Sequence, residues 1–387
     1  MTAAIELAFW LCLAAVAYAY IGYPLVIWAA SRLLGRRPEP PVVDEAELPT
    51  ATLLIAAHNE ADVIAARLEN ALALDYPPDR LQIVVASDGS RDATAAIVGS
   101  FADRGVRLLD YQPNRGKAAT LNAAWREVRG EIVLLSDANT FIDAEAARKL
   151  ARWFRDPTIG AVCGRLVLVD PVSGKNVDGM YWRYETFLKL CEARLGALLG
   201  ANGAIYAIRR DAYVPIPPET AIDDFVIPLL AKLERGIRLH YDADAVARED
   251  TPPQIRDEFK RRARIGAGGF QSLRTLWPLL SPRHGWLAFS FLSHKVLRWG
   301  CPFFLVGAAA TNVALVAQPV YRATLVAQAA FYAVAWLGAR SSGHGPLARV
   351  VRLTTLFSSM NAALLVGFYR WLTGRQRGAW ARTARVH

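Results

Sequence analysis

The chain has 387 residues, 53% of them apolar, with a formal net charge of +10 and a positive mean hydropathy. That is more apolar material than a plain soluble domain carries, so the length accommodates one sizeable catalytic domain plus a membrane region. The positive charge is concentrated in Arg-rich membrane flanks, where anionic headgroups attract it, and no compact module that reads nucleic acid is apparent, which argues against a nucleic-acid partner. Cys12, Cys163, Cys191 and Cys301 show no paired spacing, which argues against a disulfide framework or a zinc site.

In chain order, the first uncharged stretch, Leu7–Ser31, is long enough to cross hydrocarbon, for which roughly 20 apolar residues are needed. It lacks a basic n-region and a small-residue cleavage site, so residues 1–36 read as a retained anchor rather than a secretory signal. Arg32, Arg36 and Arg37 follow it directly, which places the N-terminus outside and the next segment in the cytoplasm. A Pro-rich, acidic linker with Pro38, Pro40 and Pro41 then leads to a catalytic domain over residues 50–253. Apolar runs at 51–57, 81–87, 106–111 and 131–138 alternate with helical patterns near 60–74, 92–102 and 117–128. This predicts a doubly wound α/β fold. Less regular segments follow: an apolar run at 159–169, a mixed helix around 178–198, the loop GANGAIYAIRR (200–210) and the acidic IDDF (222–225). Residues 254–298 interleave Phe259, Phe270, Trp277 and Trp286 with Arg261, Arg262, Arg264 and Arg274, the composition of interfacial amphipathic helices. Further candidate spans are Trp299–Tyr321, Ala323–Ala339 and Leu353–Tyr369, within a C-terminal membrane region of residues 299–373. The expectation is a multi-pass integral membrane protein with its catalytic domain in the cytoplasm, as in a bacterial inner membrane. Three C-terminal crossings would export a tail bearing Arg370, Arg375, Arg377, Arg382 and Arg385, against the positive-inside rule. Either the last segment is re-entrant or the number of crossings differs from this count.

In doubly wound sheets ligands bind beyond the carboxyl ends of the strands, where this sequence has His58-Asn59-Glu60, Asp88-Gly89-Ser90 and Asp137-Ala138-Asn139. Asp137 and Asn139 offer the hard oxygen ligands that Mg²⁺ or Mn²⁺ prefers beside a diphosphate, and Asp224 is the candidate base for an acceptor hydroxyl. Each has a plainer alternative. Asp88-Gly89 is a turn signal in its own right, and Asn139-Thr140 suits a helix cap. The Asp223-Asp224 pair repels itself unless a cation is near. Asn114-Arg115-Gly116-Lys117 precedes a helix and is a candidate phosphate contact or a solvated loop. Arg261-Arg262-Ala263-Arg264 suits a leaving pyrophosphate or lipid phosphates.

Taken in order, AAHNE, SDGSRD, NRGKAATLN, SDANT, GANGAIYAIRR and IDDF resemble the motifs of family 2 glycosyltransferases. The similarity is to the membrane-bound branch that includes cellulose, hyaluronan and poly-N-acetylglucosamine synthases and ceramide glucosyltransferase, and it spans residues 50–300. The resemblance implies a GT-A (Rossmann-like) fold and a UDP-sugar donor bound by Asn59, Glu60, Asp88, Lys117, Asp137 and Arg264. It further implies a divalent metal on Asp137 and Asn139, an acceptor side lined by Asn202, Gly203 and Asp223, and Asp224 as base of an inverting displacement. In two places the chain departs from that pattern: Asn139 stands where a second metal-binding Asp is frequent, and the Gln-x-x-Arg-Trp motif reads Arg261-Arg262-Ala263-Arg264-Ile265. Without that Trp, stacking on a sugar ring falls to Phe270 or Trp277. The reading is transfer of a sugar to a lipid or lipid-linked acceptor. The alternatives are a processive synthase that exports its polymer, and a non-catalytic membrane subunit with a transferase fold.

Overall fold

The computed structural model describes residues 2–169, 180–250, 255–338 and 345–375. The chain divides into two compact units. The first, over residues 27–169, 180–250 and 272–290, is built on an eight-stranded sheet of order β3-β2-β1-β4-β7-β6-β8-β5. The strands are β1 Ala51–Ala57, β2 Leu81–Asp88, β3 Val106–Tyr111, β4 Ile132–Asp137, β5 Phe141–Ile142, β6 Ile159–Val169, β7 Tyr206–Arg209 and β8 Arg238–Asp250. In β1 every residue is buried, because it runs parallel between β2 and β4 with both faces covered. Hence it is a continuous apolar run rather than an alternating one. Leu53 pairs with Ile83 on one side and Leu134 on the other. Ile64 and Leu68 of the helix Ile64–Leu72 pack in the same core, fully buried; each such side chain contributes about 1.5–3 kcal/mol.

The sequence patterns locate β1 to β4 and β6 to within a residue or so, and the predicted helices appear, shorter, as Ile64–Leu72, Thr94–Gly99, Lys117–Ala124 and Met180–Arg194. A wholly parallel sheet does not form, however. Beyond β4 the sheet turns antiparallel through β7, β6 runs antiparallel to β7 and parallel to β8, and β5 closes the edge on β8. The thirteen-residue β8 has no distinct sequence signal. Its acidic and basic residues alternate with small apolar ones, and it is a strand only because β6 and β5 pair with it.

The second unit comprises residues 2–26, 255–271 and 291–375. Four helices among the described residues are long and apolar enough to cross a bilayer: Thr2–Leu33, Trp286–Ala314, Pro319–Gly338 and Leu347–Leu372. The second begins at Trp286 rather than Trp299 and stops at Ala314, before Pro319, so the expected single span to Tyr321 is broken. Ala339, Arg377, Arg382 and Arg385 lie outside the described residues. In this unit Phe9 meets the Tyr321 ring edge-on at 5.2 Å, and Leu353, Thr354 and Phe357 share a cavity wall with Phe9, Leu13 and Asn312. The other end of Leu347–Leu372 packs elsewhere: Phe368 lies 4.8 Å from Phe303 and 5.1 Å from Phe270, and Gly367 lies directly against the backbone of Ala263 and Ala267. Phe270 is buried in this aromatic cluster, so it serves packing and is no acceptor platform; Trp277 stays 67% exposed.

Candidate active site

The carboxyl ends of β1, β2 and β4 carry the polar residues singled out from sequence. Asp88 closes β2 with no exposed surface. Its Oδ1 accepts from the Arg115 amide at 2.8 Å and its Oδ2 from the Gly116 amide at 2.9 Å. Those two charge-assisted bonds satisfy a buried carboxylate, so Asp88 acts on the Asn114–Lys117 loop by holding it. The loop crosses directly over Gly89, at φ +63°, where a Cβ would come within 2.7 Å of the Asn114 Cα. Asn59 adopts a left-handed conformation, φ +55°, and ties the loops together. Its backbone N–H donates to Ser90 Oγ at 3.1 Å, while its Oδ1 accepts from the Arg91 N–H at 2.8 Å. His58 Nδ1 lies 2.6 Å from the Asp88 carbonyl, and its Nε2 lies 3.0 Å from Asn59 Nδ2. The Glu60 amide donates to Thr94 Oγ1 at 2.8 Å.

The carboxylate cluster lies at the end of β4. Lys117, at the start of the helix Lys117–Ala124, donates to Asp137 Oδ1 at 2.7 Å and pairs with Asp223 Oδ2 at 3.0 Å. Burial by itself would lower the Lys117 pKa, but Asp137, Asp223 and Asp224 together raise it above the ordinary lysine value, so it stays charged. Asp223 and Asp224 open the helix Asp223–Arg235, where the N-terminal dipole favours negative charge. Even so, burial first and then the neighbouring Asp223 hold the Asp224 pKa above the usual carboxylate range, with Asp137 adding to the rise and Lys117 and Lys189 pulling it down. Asp137 and Asp224 meet across Gly203. A Cβ there would sit 2.9 Å from Asp137 Oδ2 and 3.8 Å from Asp224 Oδ2, so only glycine leaves that space open.

The segment bearing Gly203 is pinned from below. Asn202 Nδ2 donates to the Gly164 carbonyl at 2.8 Å, and its Oδ1 accepts from the Ile205 N–H at 3.3 Å; the amide is thus spent on the loop. The Ala201 N–H donates to the Asp224 carbonyl at 2.9 Å, and Lys189 Nζ donates to the Ala201 carbonyl at 3.2 Å. Sequence reasoning missed Lys189 because it lies on Met180–Arg194 with nothing in its neighbours to mark it. It also missed Tyr206, whose buried hydroxyl has no partner among the described residues and whose pKa is raised by burial and by Asp223, Asp224 and Asp137. Arg264 is exposed, on the helix Ile255–Leu276 of the other unit. Arg261 and Arg262 pair there with Glu258.

A divalent cation fits the residues at the end of β4. Asp137 is partly exposed, one of its oxygens is already held by an ammonium, and Asn139 two residues on is also partly exposed. Among the described residues no group of three or more His, Cys, Asp or Glu side chains forms a metal cage. Asp137 and Asn139 would supply one or two hard oxygens to such a cation, with phosphate oxygens and water completing its shell.

Residues 52–213 match the family model Glycosyl transferase family 2. Over that segment the chain is similar to the family 2 glycosyltransferases. Among curated proteins, it is similar to poly-beta-1,6-N-acetyl-D-glucosamine synthase of Staphylococcus aureus (strain MSSA476), 29% identical over 240 residues, 60% of this chain and 58% of that one. It is also 27% identical over 240 residues to the synthase of the same name from Staphylococcus epidermidis. The aligned region spans 58% of the length of those relatives. Among solved structures, the mannosyltransferase PcManGT from Pyrobaculum calidifontis, determined with GDP-Man and Mn²⁺, shares the fold. Its TM-score is 0.71 at 23% identity, covering 95% of this chain and 99% of that one. The sheet-bearing unit therefore has the GT-A fold, with membrane-length helices before and after it.

Proposed function

We propose that the chain is an inverting glycosyltransferase that moves a sugar from a UDP-sugar to a lipid or lipid-linked acceptor at the cytoplasmic face of a membrane. The observation that carries this reading is the approach of Asp137 and Asp224 to each other across Gly203, which supports Asp137 as metal ligand and Asp224 as base of one reaction. Asp224 takes the proton of the acceptor hydroxyl while that oxygen attacks the anomeric carbon. The bond from that carbon to the diphosphate breaks on the opposite face, so an α-linked donor yields a β-linked product. Asp137 and Asn139 would hold Mg²⁺ or Mn²⁺, which when bound neutralises charge on the departing diphosphate. Asp88 and Asn59 act by shaping the loops that receive the nucleotide, and Lys117 supplies a cation beside the diphosphate. Asn202 and Gly203 keep the acceptor side open.

The arginines support three crossings rather than four. One end of Leu347–Leu372 shares a cavity with Phe9 and Asn312, and the other packs on the helix Ile255–Leu276 and on Phe303. On this reading the last helix returns to the side of Arg32, Arg370 lies inside, and Pro319–Gly338 enters without a net crossing, which satisfies the positive-inside rule.

Similarity to the staphylococcal poly-beta-1,6-N-acetyl-D-glucosamine synthases favours a second reading, a processive synthase making a polymer of N-acetylglucosamine. Nucleotide release by the full chain in lipid nanodiscs, across UDP- and GDP-sugars with Mg²⁺ or Mn²⁺ and followed by product sizing, separates the two. A single-sugar lipid product supports the first, and a long polymer the second. Asp224→Asn should cut transfer by about 10²- to 10⁴-fold with nucleotide affinity retained; full turnover in that variant would remove Asp224 from the base role.

A further inference from the structure

Arg67, on Ile64–Leu72, heads the fully buried side chains by volume among the described residues, with 0% exposure. Its Nη1 donates to Asn70 Oδ1 at 3.1 Å, while its Nε and Nη2 have no partner among the described residues. A buried guanidinium with a single neutral hydrogen bond is costly, and its helix neighbours Ile64 and Leu68 show that the surroundings would accept an apolar side chain. Burial lowers its pKa to about 10, and the charge that opposes the fall is Asp137, so Arg67 is a cation at neutral pH. A physical link joins the two. Asn70 Oδ1 also accepts from the Ile142 N–H at 2.9 Å, and Asn70 Nδ2 donates to the Ile142 carbonyl at 2.8 Å. Arg67 and Asn70 therefore brace β5, the strand that directly follows the Asp137–Thr140 turn.

We propose that Arg67 is a positioning residue for donor binding, a fixed internal cation behind the Asp137 turn that favours a nucleoside diphosphate and disfavours a free divalent cation at the same site. This rests on the reading of Asp137 as the diphosphate and metal side of a glycosyltransferase site. The opposed signs are diagnostic. A fixed positive charge acts on anions and cations in opposite directions, because the Coulomb energy changes sign with the charge it meets. A packing defect weakens both.

The test uses the full chain in nanodiscs and two equilibrium titrations, Mn²⁺ without nucleotide and UDP in EDTA. In Arg67→Met, Mn²⁺ should bind at least about 3-fold more tightly and UDP at least about 3-fold more weakly, with Arg67→Lys near wild type for both. Asn70→Asp keeps the guanidinium but gives it a neighbouring counterion. It should move both affinities in the same directions as Arg67→Met, and it decides the matter if that variant does not fold. Weakening of both ligands, or no change in either, overturns the assignment. If wild type binds neither ligand, the glycosyltransferase reading of the site fails with it; if wild type binds both and the variants match it, only the role of Arg67 is refuted.

Discussion

Gly203→Ala tests the convergence of the two carboxylates most directly. The added Cβ would lie 2.9 Å from Asp137 Oδ2, roughly half an ångström inside the ~3.5 Å at which non-bonded heavy atoms rest comfortably. Asp137 cannot yield freely, because its other oxygen is held by Lys117 at 2.7 Å and its strand is packed between β1 and β7. The Asp224 oxygen, at 3.8 Å, feels no clash, so the damage is to the spacing between the two groups. Displacing a catalytic group by about 1 Å can cost about 100-fold, and a shift of half that size predicts a fall in kcat of about 10-fold or more. Steady-state kinetics with the best donor, beside a thermal melt and a Mn²⁺ titration, separate this from unfolding. The melt should stay close to wild type, because the site is partly open. Wild-type kcat and Mn²⁺ affinity in a folded Gly203→Ala protein would refute the placement of both carboxylates in one reaction space.

Lys117→Met removes the ammonium that Asp137 and Asp223 share. It should destabilise the fold by about 2 kcal/mol, less than a fully buried pair would cost because the side chains are partly exposed. Millimolar Mn²⁺ should restore part of the loss in a thermal melt, and a variant as stable as wild type, or indifferent to Mn²⁺, would contradict the cluster. His240, tilted against the Trp153 ring at 3.8 Å, has its pKa lowered to about 4 by burial, despite the opposing pull of Asp242. The unfolded chain takes up this proton near pH 6.5 and the folded one only near 4. That contribution is therefore intact above pH 6.5 and is lost as pH falls towards 4, by about 3 kcal/mol at most. Chemical denaturation at pH 7 and pH 4.5 should show a smaller acid loss for His240→Gln than for wild type; equal losses would place the titration elsewhere. For topology, single cysteines at Gly35 and Thr373, with Cys12 replaced by serine, should both resist an impermeant maleimide in intact cells and react after lysis, whereas one at Ala317 should react from outside. Labelling of Thr373→Cys from outside would restore four crossings.

Much of the fold was readable because it is written locally. The run Ala51–Ala57 and its counterparts at β2, β3 and β4 are apolar segments closed by Asp, Asn or Gly, and turn chemistry depends on near neighbours. The apolar segments alone implied a doubly wound α/β fold, the GT-A expectation came from the resemblance of the ordered motifs to family 2 glycosyltransferases, and the apolar helices came from composition. The sequence alone also proposed Asp88, Asp137 and Asp224 as one site; Asp137 and Asp224 do approach Gly203 together, whereas Asp88 is bonded to the Arg115 and Gly116 amides. The partner of the carboxylates was left open: nothing near Lys117 announces that it bridges Asp137 and Asp223.

The remaining assignments depended on contacts between distant residues. Whether Asp88 meets a ligand or a loop is decided by the Arg115 and Gly116 amides that close over it, and Gly203 matters only because β4 and the helix Asp223–Arg235 bring two carboxylates to either side of it. Arg67 looked like an ordinary polar position on a helix until its burial was known, and β8 is a strand because β6 and β5 recruit it. The sequence by itself determined the local elements, the polar ends of the strands and the membrane-length helices, because periodicity and turn preference act over a few residues. Only the tertiary structure decided which charges share a space, since the strength of a charge pair depends on separation and burial, and residues far apart along the chain acquire both only when the sheet assembles.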